Sequence, residues 1–396
     1  MVVSPKVKSF ICTTAHPTGC RESVKRQIDY IKSLGKVTTE VSAPKKILVI
    51  GSSTGYGLAS RISLAFGYQA DTLGIMFERE GNGRRTATAG WYNTKAFEEF
   101  ATAEGLYAKS INGDAFSQEI KEQTVKTIKE DLGKVDMVVY SLAAPRRTTT
   151  DGTTYVSTLK TVGAPFQNKS INLEENIITE ASIPCATDEE IEATRKVMGG
   201  EDWIDWIDAL KEADVLADNA VTLAYSYIGP ELTYPIYYEG SIGQAKKHLY
   251  QSCDVINQKH NSVKAYISVN KALVTQSSSA IPVVPLYISI LYKVMKEAGV
   301  HEGCIEQMGR LFLDRLTKAE PETDENGFLR LDDWEMRKDI QDKVLDIWKQ
   351  ISTENLTTLA DLDGYWDDFY KMFGFHYDNI DYDADVEIEY LLLLCA

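Results

Sequence analysis

The sequence predicts an α/β fold: a doubly wound parallel sheet with large insertions and a helical extension at its C-terminus. Apolar runs alternate with helical periods over residues 1–140, as a parallel sheet with crossover helices requires. A glycine-rich turn follows the first apolar run, and an acidic residue ends the second. This order of elements is typical of a dinucleotide-binding fold of the Rossmann type.

The glycine-rich turn follows a predicted buried strand at residues 47–51, which is continuously apolar. Its sequence, GSSTGYG at residues 51–57, has the spacing G-x3-G-x-G that is typical of short-chain reductases. Glycines permit a tight turn and a close approach of the backbone to a pyrophosphate. The next helix, predicted at residues 58–66, would point its N-terminus at that anion. We therefore expect a nucleotide site here.

Glu78 follows the second predicted strand, at residues 72–77, and indicates which dinucleotide binds. A carboxylate there accepts hydrogen bonds from both ribose hydroxyls of NADH and repels the 2′-phosphate of NADPH. Two alternatives remain: Glu78 could be a solvated strand end, or neighbouring arginines could accommodate the phosphate. Those arginines are Arg79, Arg84 and Arg85. We expect a preference for NADH.

The alternation of strand and helix continues to residue 142. Two more strands are predicted, at residues 107–112 and 135–142, with helices before them at 94–104 and 117–132. Residues 145–186 then interrupt the pattern with a stretch that is too long for an ordinary connection. We expect an insertion with a little β structure, lying beside the active site.

The second half of the chain is predicted to complete the sheet. Thr187 opens a capping-box sequence, so a helix should run to about Met198, with another at residues 203–216. The fifth and sixth strands are predicted at residues 220–228 and 265–269.

An apolar helix follows at residues 277–297, and Pro282 and Pro285 should bend or interrupt it. From about Glu302 the chain is helical and acidic. Its tryptophans are expected in the core, and they are Trp334, Trp348 and Trp366. We interpret the whole chain as a single domain with five parts: an N-terminal extension (1–44), a cofactor-binding core (45–143), an insertion (144–219), a catalytic and substrate-binding part (220–300) and a helical C-terminal part (301–396).

Charge and hydropathy argue against several kinds of partner. The chain has 42 Lys and Arg residues against 58 Asp and Glu residues, a formal net charge of −16. This charge opposes a phosphodiester partner, so nucleic-acid binding is not expected. No apolar stretch reaches the roughly 18 residues that a membrane helix needs, and residues 1–9 show no targeting signal. We expect a cytoplasmic protein that does not bind membranes.

The cysteines and histidines do not predict a metal site. Six cysteines are scattered without C-x-x-C or C-x-x-H spacing, and we expect reduced thiols. They are Cys12, Cys20, Cys185, Cys253, Cys304 and Cys395. The five histidines also lack ligand spacing, and they are His16, His248, His260, His301 and His376.

Reductases with this glycine turn pair a tyrosine with a lysine, so the catalytic pair must be found. Tyr-x3-Lys spacing occurs only at Tyr292 and Lys296, with Ser279 upstream. This match lies far beyond the glycine turn and within an apolar helix, and we interpret it as coincidental.

The other candidates follow the fifth predicted strand. Tyr237 with Lys246, and Tyr238 with Lys247, both have Tyr-x8-Lys spacing. On one continuous helix these partners would point to opposite faces, so the break at residues 240–243 must place the tyrosine in a turn and the lysine on the next helix. The carboxyl end of a parallel strand is where ligands bind in such sheets. Spacing alone leaves both pairs open.

Several long motifs point to one family. They are Cys12 with His16-Pro17 and Gly19-Cys20, GYGLASRI at 55–62, GWYN at 90–93, GDAF at 113–116, VYSLAAP at 139–145, VMGGEDW at 197–203, AYSYIGP at 224–230, KALVT at 271–275 and HEGCIEQ at 301–307. Over essentially its full length, the chain resembles the trans-2-enoyl-CoA reductases, also called FabV-type enoyl-acyl-carrier-protein reductases.

The resemblance implies roles for three residues. Tyr237 would be the proton donor and Lys246 its partner, a choice over Tyr238 and Lys247 that comes from the family alone. Tyr227 would be a second contact to the substrate carbonyl, and the alternative is a buried strand tyrosine.

The resemblance also implies NADH as cofactor and a set of contacts. These are Gly51, Ser52, Ser53, Thr54, Gly55 and Tyr56 at the pyrophosphate; Phe77 and Glu78 at the adenosine ribose; Asp114 and Ala115 at the adenine; Leu142 and Ala143 beside the cofactor; and Lys246, Leu273, Val274 and Thr275 near the nicotinamide half. For Asp114, a helix cap is the alternative.

The expected reaction is reduction of the trans-2 double bond of an enoyl thioester by NADH. The carrier, CoA or acyl carrier protein, and the acyl chain length stay open, as does use of NADPH. We expect a monomer or weak homodimer. Two alternatives are a ketone-reducing short-chain dehydrogenase that uses Tyr292 and Lys296, and a nucleotide-binding protein without turnover.

Overall fold

A seven-stranded parallel sheet forms the centre of the structure. The structure is a computed structural model that describes residues 1–8, 11–35, 43–142 and 144–389. Its strands are β1 (Val7–Lys8), β2 (Ile11–Cys12), β3 (Lys46–Ile50), β4 (Asp71–Met76), β5 (Ala108–Asn112), β6 (Val135–Tyr140), β7 (Arg146–Thr148), β8 (Thr154–Val156), β9 (Phe166–Asn172), β10 (Ile177–Ile183), β11 (Leu216–Ser226), β12 (Val263–Val269) and β13 (Phe328–Arg330).

Helices cover both faces of this sheet. They are α1 (Pro17–Ser33), α2 (Gly55–Tyr68), α3 (Ala89–Ala103), α4 (Gln118–Thr127), α5 (Asp188–Met198), α6 (Glu201–Glu212), α7 (Ser241–Lys259), α8 (Gln276–Ser279), α9 (Val284–Glu297), α10 (Cys304–Leu313), α11 (Lys338–Gln350), α12 (Leu356–Leu359) and α13 (Leu362–Lys371). A short π-helical turn, Ile128–Leu132, continues α4.

The strand order across the sheet is β13-β12-β11-β6-β3-β4-β5. The chain therefore runs outward from β3 through β4 to β5, and then crosses to the other side of β3 with β6. The carboxyl ends of β3 and β6 flank this switch point, where ligands bind in open parallel sheets. The predicted fold class is confirmed.

The apolar side chains of β3 explain why the sheet is covered on both faces. Ile47 and Val49 join one cluster of buried residues, and Leu48 and Ile50 join another. The first cluster contains residues of α1, α2, α3 and α10. The second contains residues of α6 and α7, together with Ile120 of α4. A third cluster lies around α9, which packs against α11 and α13.

Three predictions about elements need correction. The helix predicted at residues 203–216 ends at Glu212, and Leu216 already belongs to β11, whose pairing with β6 is irregular between Leu216 and Val221. The last turn predicted for the helix at 117–132 is π-helical. Strand β13 was not predicted, because three residues are too short to show a period of their own.

The insertion and the proline-containing helix agree with their predictions. The insertion forms two antiparallel hairpins, β7 with β8 and β9 with β10. Thr187 caps α5 through a capping box, as its sequence predicts. The apolar helix is interrupted between α8 and α9, where Val283 has a φ of 72° and Pro285 lies in the first turn.

The structure also places the tryptophans and cysteines that were discussed from the sequence. Trp348 is buried, while Trp334 and Trp366 are half-buried against the core. The five described cysteines are free thiols, and Cys395 lies outside the described residues. In the described part of the chain, no helix is long and apolar enough to cross a membrane.

Candidate active site

A cavity of about 1000 Å³ opens at the carboxyl ends of β3, β6, β11 and β12. Its lining includes residues 54–56 of the glycine turn, residues 140–142 at and just after the end of β6, residues 224–227 at the end of β11 and residues 270–278 after β12. Segments from both chain termini also line it, at residues 11–15 and 371–373. The cavity therefore lies at the switch point of the sheet.

The glycine turn requires glycine for two physical reasons. Gly51 has a φ of 81°, and a Cβ there would lie 2.1 Å from the Ser141 carbonyl oxygen. A Cβ at Gly57 would lie 1.8 Å from the Gly51 carbonyl oxygen. Thr54 is the N-cap residue of α2, but its side chain makes no capping hydrogen bond. It therefore does not occupy the first backbone amides of this helix. This arrangement fits the pyrophosphate of a dinucleotide.

Glu78 is held rigidly and lines the cavity. The Ser53 hydroxyl donates to Glu78 Oε1 at 2.6 Å. Asn112 holds the Glu78 backbone from both sides, since its Oδ1 accepts from Glu78 N and its Nδ2 donates to Glu78 O, each at 2.8 Å. A Cβ at Gly90 would lie 2.0 Å from Glu78 Oε1. Sequence reasoning did not find Asn112 or Gly90, although GWYN was among the family motifs.

The arginines near Glu78 differ in their contacts. The Arg79 guanidinium donates to the Thr86 carbonyl oxygen at 2.9 Å. Arg84 and Arg85 are exposed, and of these two only Arg85 lines the cavity. Glu78 and Arg79 therefore both line the cavity as held charges, and the Arg79 guanidinium is already engaged with a backbone carbonyl oxygen.

Phe77, predicted at the adenosine ribose, and the predicted adenine contacts Asp114 and Ala115 lie outside the lining of the main cavity, as do residues 51–53 of the predicted pyrophosphate contacts. Phe77 is 76% exposed, Asp114 is half-buried and Ala115 is buried. Asp114 Oδ1 accepts from Phe116 N at 3.0 Å, within the turn that joins β5 to α4. The N-cap of α4 is Ser117, so Asp114 is not the capping residue itself.

The residues predicted beside the cofactor and near its nicotinamide half belong to the same cavity where the structure describes them. Leu142, Lys246, Leu273, Val274 and Thr275 all line it. The predicted contact Ala143 lies outside the described residues.

The loop after β12 carries donors that the sequence did not reveal. Asn270 lines the cavity with its Nδ2 buried and without a hydrogen-bond partner among the described residues. An unpaired buried donor is costly, and a ligand that accepts from it removes the cost. Lys271 is also buried, and its ammonium donates to the Ala272 carbonyl oxygen at 2.8 Å. Both residues fit a cavity that holds a polar cofactor.

Tyr237 and Lys246 both line the cavity, whereas Tyr238 and Lys247 do not. The Lys247 ammonium lies 5.7 Å from the centre of the Tyr238 ring, away from the cavity lining. Tyr237 lies in the turn before α7, and Lys246 lies on α7. A Cβ at Gly243 would lie 1.9 Å from the Tyr238 carbonyl oxygen, so the tight entry into α7 requires glycine there.

Burial changes the acidity of both residues. Desolvation raises the pKa of Tyr237 well above its usual value, so its hydroxyl keeps its proton and can donate it. Desolvation also lowers the pKa of Lys246 to about 8. The Lys246 ammonium donates to the Tyr225 carbonyl oxygen at 3.0 Å, which fixes the amine at the end of β11.

Tyr227 packs its ring edge-on against the Tyr237 ring, with 5.0 Å between the ring centres. The Tyr227 hydroxyl donates to Oε1 of the buried Glu335 at 3.1 Å. Glu335 also accepts from the Tyr287 hydroxyl at 2.6 Å and from Ala272 N at 2.8 Å. One carboxylate thus joins the predicted substrate tyrosine to the loop after β12. Sequence reasoning did not find Glu335, because it follows the unpredicted strand β13.

The alternative pair is not assembled for catalysis. Tyr292 is buried and lines the cavity, but its hydroxyl accepts from Val274 N at 3.1 Å. Lys296 forms an ion pair with Asp361 at 2.6 Å and does not line the cavity. Ser279 is hydrogen-bonded to the Tyr365 hydroxyl at 2.7 Å. Among the described residues, no group of three or more His, Cys, Asp or Glu side chains could hold a metal ion.

Three family models match almost the whole chain. Residues 2–83 match the NAD(P)H binding domain of trans-2-enoyl-CoA reductase, and residues 85–317 match the catalytic region of that enzyme. Residues 323–386 match a model named enoyl reductase FAD binding domain. The chain belongs to the trans-2-enoyl-CoA reductase family. The resemblance seen in the sequence motifs is confirmed.

Curated relatives and solved structures of this family agree. The chain is 53% identical to the trans-2-enoyl-CoA reductase [NADH] of Ruminiclostridium cellulolyticum, over 98% of each chain. It is 55% identical to the enoyl-[acyl-carrier-protein] reductase [NADH] of Flavobacterium johnsoniae, over 97% of each. The trans-2-enoyl-CoA reductase of Clostridium acetobutulicum in complex with NADH superposes with a TM-score of 0.94 at 47% identity, covering 98% of both chains. That of Treponema denticola in complex with NAD has a TM-score of 0.95 at 45% identity, covering 99% of this chain and 100% of the other.

The name of the third family model mentions FAD, but the described residues of that segment do not form a site for its pyrophosphate. The segment's one strand, β13, is followed by Leu331, Asp332 and Asp333 rather than by a glycine turn. Asp332 is paired with Arg330, and Asp333 with Arg310 and Arg315, so the charges at this strand end already have partners within the protein. We therefore derive no chemistry from a flavin in this member of the family.

Glu78→Gln tests the preference for NADH. Removal of the charge should raise the ratio of kcat/KM for NADPH to that for NADH by roughly tenfold, because relief of a like-charge clash of about 1.4 kcal/mol changes the ratio tenfold. Glu80→Gln is the matched control, since Glu80 is exposed and does not line the cavity. An unchanged ratio in Glu78→Gln would contradict the assignment.

Proposed function

We propose that this chain reduces the trans-2 double bond of enoyl thioesters with NADH, the thioester being carried by CoA or by acyl carrier protein. The observation that carries the proposal is the convergence of Tyr237, Lys246 and the glycine turn on one cavity, in a chain of this family. Its relatives are named trans-2-enoyl-CoA reductase and enoyl-[acyl-carrier-protein] reductase, and these names indicate the two carriers.

Different parts of the cavity suit the different parts of NADH. Gly51 and the N-terminus of α2 suit the pyrophosphate, and Glu78 suits the adenosine ribose. Leu142, Leu273 and Val274 supply apolar walls for the nicotinamide half. When bound, NADH supplies the hydride that reduces the β-carbon of the substrate.

Tyr237 is the proposed hydrogen-bond and proton donor to the thioester oxygen. Negative charge develops on that oxygen during reduction, and a preorganised donor in a desolvated cavity stabilises it most strongly. Burial raises the pKa of Tyr237, so the hydroxyl is protonated at neutral pH before the reaction. It is therefore a donor rather than a base in the free protein.

Lys246 is the proposed partner of both the cofactor and Tyr237. Its ammonium is anchored on the Tyr225 carbonyl oxygen and retains two further donors. One donor can reach a ribose hydroxyl, while the positive charge favours a developing negative charge on Tyr237.

Tyr227 and Glu335 support the same part of the site. The Tyr227 hydroxyl donates its hydrogen to Glu335, so in this arrangement that hydrogen is directed away from a substrate oxygen. We propose that the Tyr227 hydroxyl contacts the substrate after it exchanges its hydrogen bond to Glu335 for one to the substrate oxygen. The Tyr227 ring packs against the Tyr237 ring and positions it.

We further propose a cytoplasmic enzyme that acts as a monomer or weak homodimer, without nucleic-acid or membrane partners. The division into five parts at residues 44, 143, 219 and 300 stays a proposal. It is consistent with the separate roles of the glycine turn, the hairpin insertion and the loop that carries Tyr237.

One assay tests the proposed function against its alternatives. Crotonyl-CoA should support oxidation of NADH, and acetoacetyl-CoA should not, because the site is proposed to donate hydride to a double bond conjugated with a thioester. Absorbance at the NADH band measures both rates. Activity with acetoacetyl-CoA alone would favour ketone reduction, and cofactor binding without oxidation of NADH would favour a non-catalytic protein.

Tyr237→Phe should lower kcat with crotonyl-CoA by about 10²–10³, because one donor to a developing oxyanion is lost. The ring and its packing against Tyr227 remain, so NADH binding should barely change. Tyr238→Phe is the matched control, since Tyr238 does not line the cavity. Loss of turnover in Tyr238→Phe with retention in Tyr237→Phe would reverse the assignment.

Lys246→Met should lose most activity and bind NADH more weakly, while circular dichroism shows a folded protein. Lys296→Met should stay near wild type, because its ion pair with Asp361 is partly exposed and such pairs contribute at most about 1 kcal/mol. With a pKa of about 8 in the free protein, Lys246 is cationic below that pH and neutral above it. In wild type, kcat/KM for NADH should therefore fall above pH 8, and Lys246→Met should lack this decline. The opposite pattern for the two lysines would restore the Tyr292 and Lys296 pair.

A further inference from the structure

A buried ion pair joins α4 to α6, outside the catalytic residues. Lys121 Nζ lies 2.7 Å from Asp202 Oδ1, and the two side chains are only 6% and 2% exposed. Removal of two charges from water costs several kcal/mol for each ion, so a buried pair adds little net stability. A role in positioning other groups explains its presence better.

The Lys121 side of the pair holds the turn between β5 and α4. Lys121 Nζ donates to the Phe116 carbonyl oxygen at 3.2 Å and to the Ala115 carbonyl oxygen at 3.4 Å. Trp206 Nε1, on the same helix as Asp202, donates to the Ala115 carbonyl oxygen at 3.2 Å. The backbone of this turn is therefore held by groups from two helices.

The Asp202 side of the pair holds the end of β6. The Tyr140 hydroxyl donates to Asp202 Oδ2 at 3.0 Å. Tyr140 is the last residue of β6, lines the cavity and directly precedes Ser141 and Leu142. Each carboxylate oxygen of Asp202 thus has one partner, and the two partners lead to different parts of the cofactor site.

We propose that Lys121 and Asp202 are positioning residues for the adenosine half of NADH. The pair sets the distance between the turn at residues 113–117 and the switch point at the end of β6. Neither residue lines the cavity proposed to hold NADH, so the pair acts through Ala115, Phe116 and Tyr140. The inference rests on the proposed NADH site, and it also assigns a role to the insertion, which contributes Asp202 and Trp206.

Arg147 is the other cation near this pair. It is buried, with its guanidinium 3.2 Å from Asp205 and donating to the Lys196 carbonyl oxygen at 3.0 Å. Its guanidinium lies 5.6 Å from the centre of the Phe116 ring, so it supports the same turn from the insertion side. Arg147 has its own acceptors and leaves Lys121 as the partner of Asp202.

The test replaces the polar cluster by apolar residues of similar size. The variant Lys121→Met/Asp202→Leu/Tyr140→Phe leaves no buried charge unpaired, so it should fold, as other apolar replacements of buried ion pairs do. We expect KM for NADH and Kd for ADP-ribose, which is NADH without its nicotinamide ring, to rise about tenfold. The kcat at saturating NADH should stay within twofold of wild type. Titration calorimetry gives Kd, and crotonyl-CoA reduction gives KM and kcat.

The matched control is Lys134→Met, which removes an exposed ion pair with Asp214 and should change neither KM nor Kd. A folded triple variant with wild-type KM for NADH and wild-type Kd for ADP-ribose would overturn the proposal. A fall in kcat without a change in KM would overturn it as well. Should the triple variant not fold, Tyr140→Phe, which keeps the ion pair and removes only the hydrogen bond from the end of β6 to Asp202 Oδ2, must also raise the Kd for ADP-ribose.

A folded Tyr140→Phe variant with wild-type Kd for ADP-ribose would then overturn the proposal. Failure of the proposed function gives a different result, because wild-type protein would then not reduce crotonyl-CoA, whereas the Kd for ADP-ribose still tests the role of the pair. The two proposals can therefore fail separately.

Discussion

The contact between two backbones at the switch point of the sheet constrains the rest of the site. Gly51 leaves β3 with a positive φ, and any side chain there would overlap the Ser141 carbonyl oxygen that follows β6. Only glycine allows the two strand ends to come this close. The approach brings the N-terminus of α2 and the end of β6 to one cavity, so the turn proposed to hold the pyrophosphate depends on this contact.

Burial then determines the chemistry of the groups around that cavity. Desolvation raises the pKa of Tyr237 and lowers the pKa of Lys246 to about 8, so it shifts each group towards its neutral form. Burial also raises the pKa of the carboxyl groups of Glu335 and Asp202, and both groups organise their neighbours through hydrogen bonds. Glu335 joins Tyr227 to the loop after β12, and Asp202 joins Tyr140 to Lys121. Full satisfaction of such groups makes a site rigid.

Sequence reasoning succeeded where a local pattern carries the information. Continuous apolar runs predicted the central strands, and glycine spacing predicted the turn after β3. The same reasoning failed at β13, which is too short for a pattern, and at Leu216, where the apolar run of β11 is interrupted by Asp218 and Asn219. Asn219 has a φ of 61°, so the polar residues mark an irregularity within the strand rather than its start.

The sequence by itself determined the fold class, the nucleotide turn, the carboxylate that follows β4 and the family. These features depend on neighbouring residues, whose spacing is set by helix and strand geometry. Tertiary structure decided which tyrosine of the adjacent pair lines the cavity, since Tyr237 and Tyr238 share the same spacing to a lysine. It also decided the hydrogen-bond partners of Glu335 and Asp202, because hydrogen bonds between distant segments follow from how helices pack on the sheet. Such partners leave no period or motif in the chain.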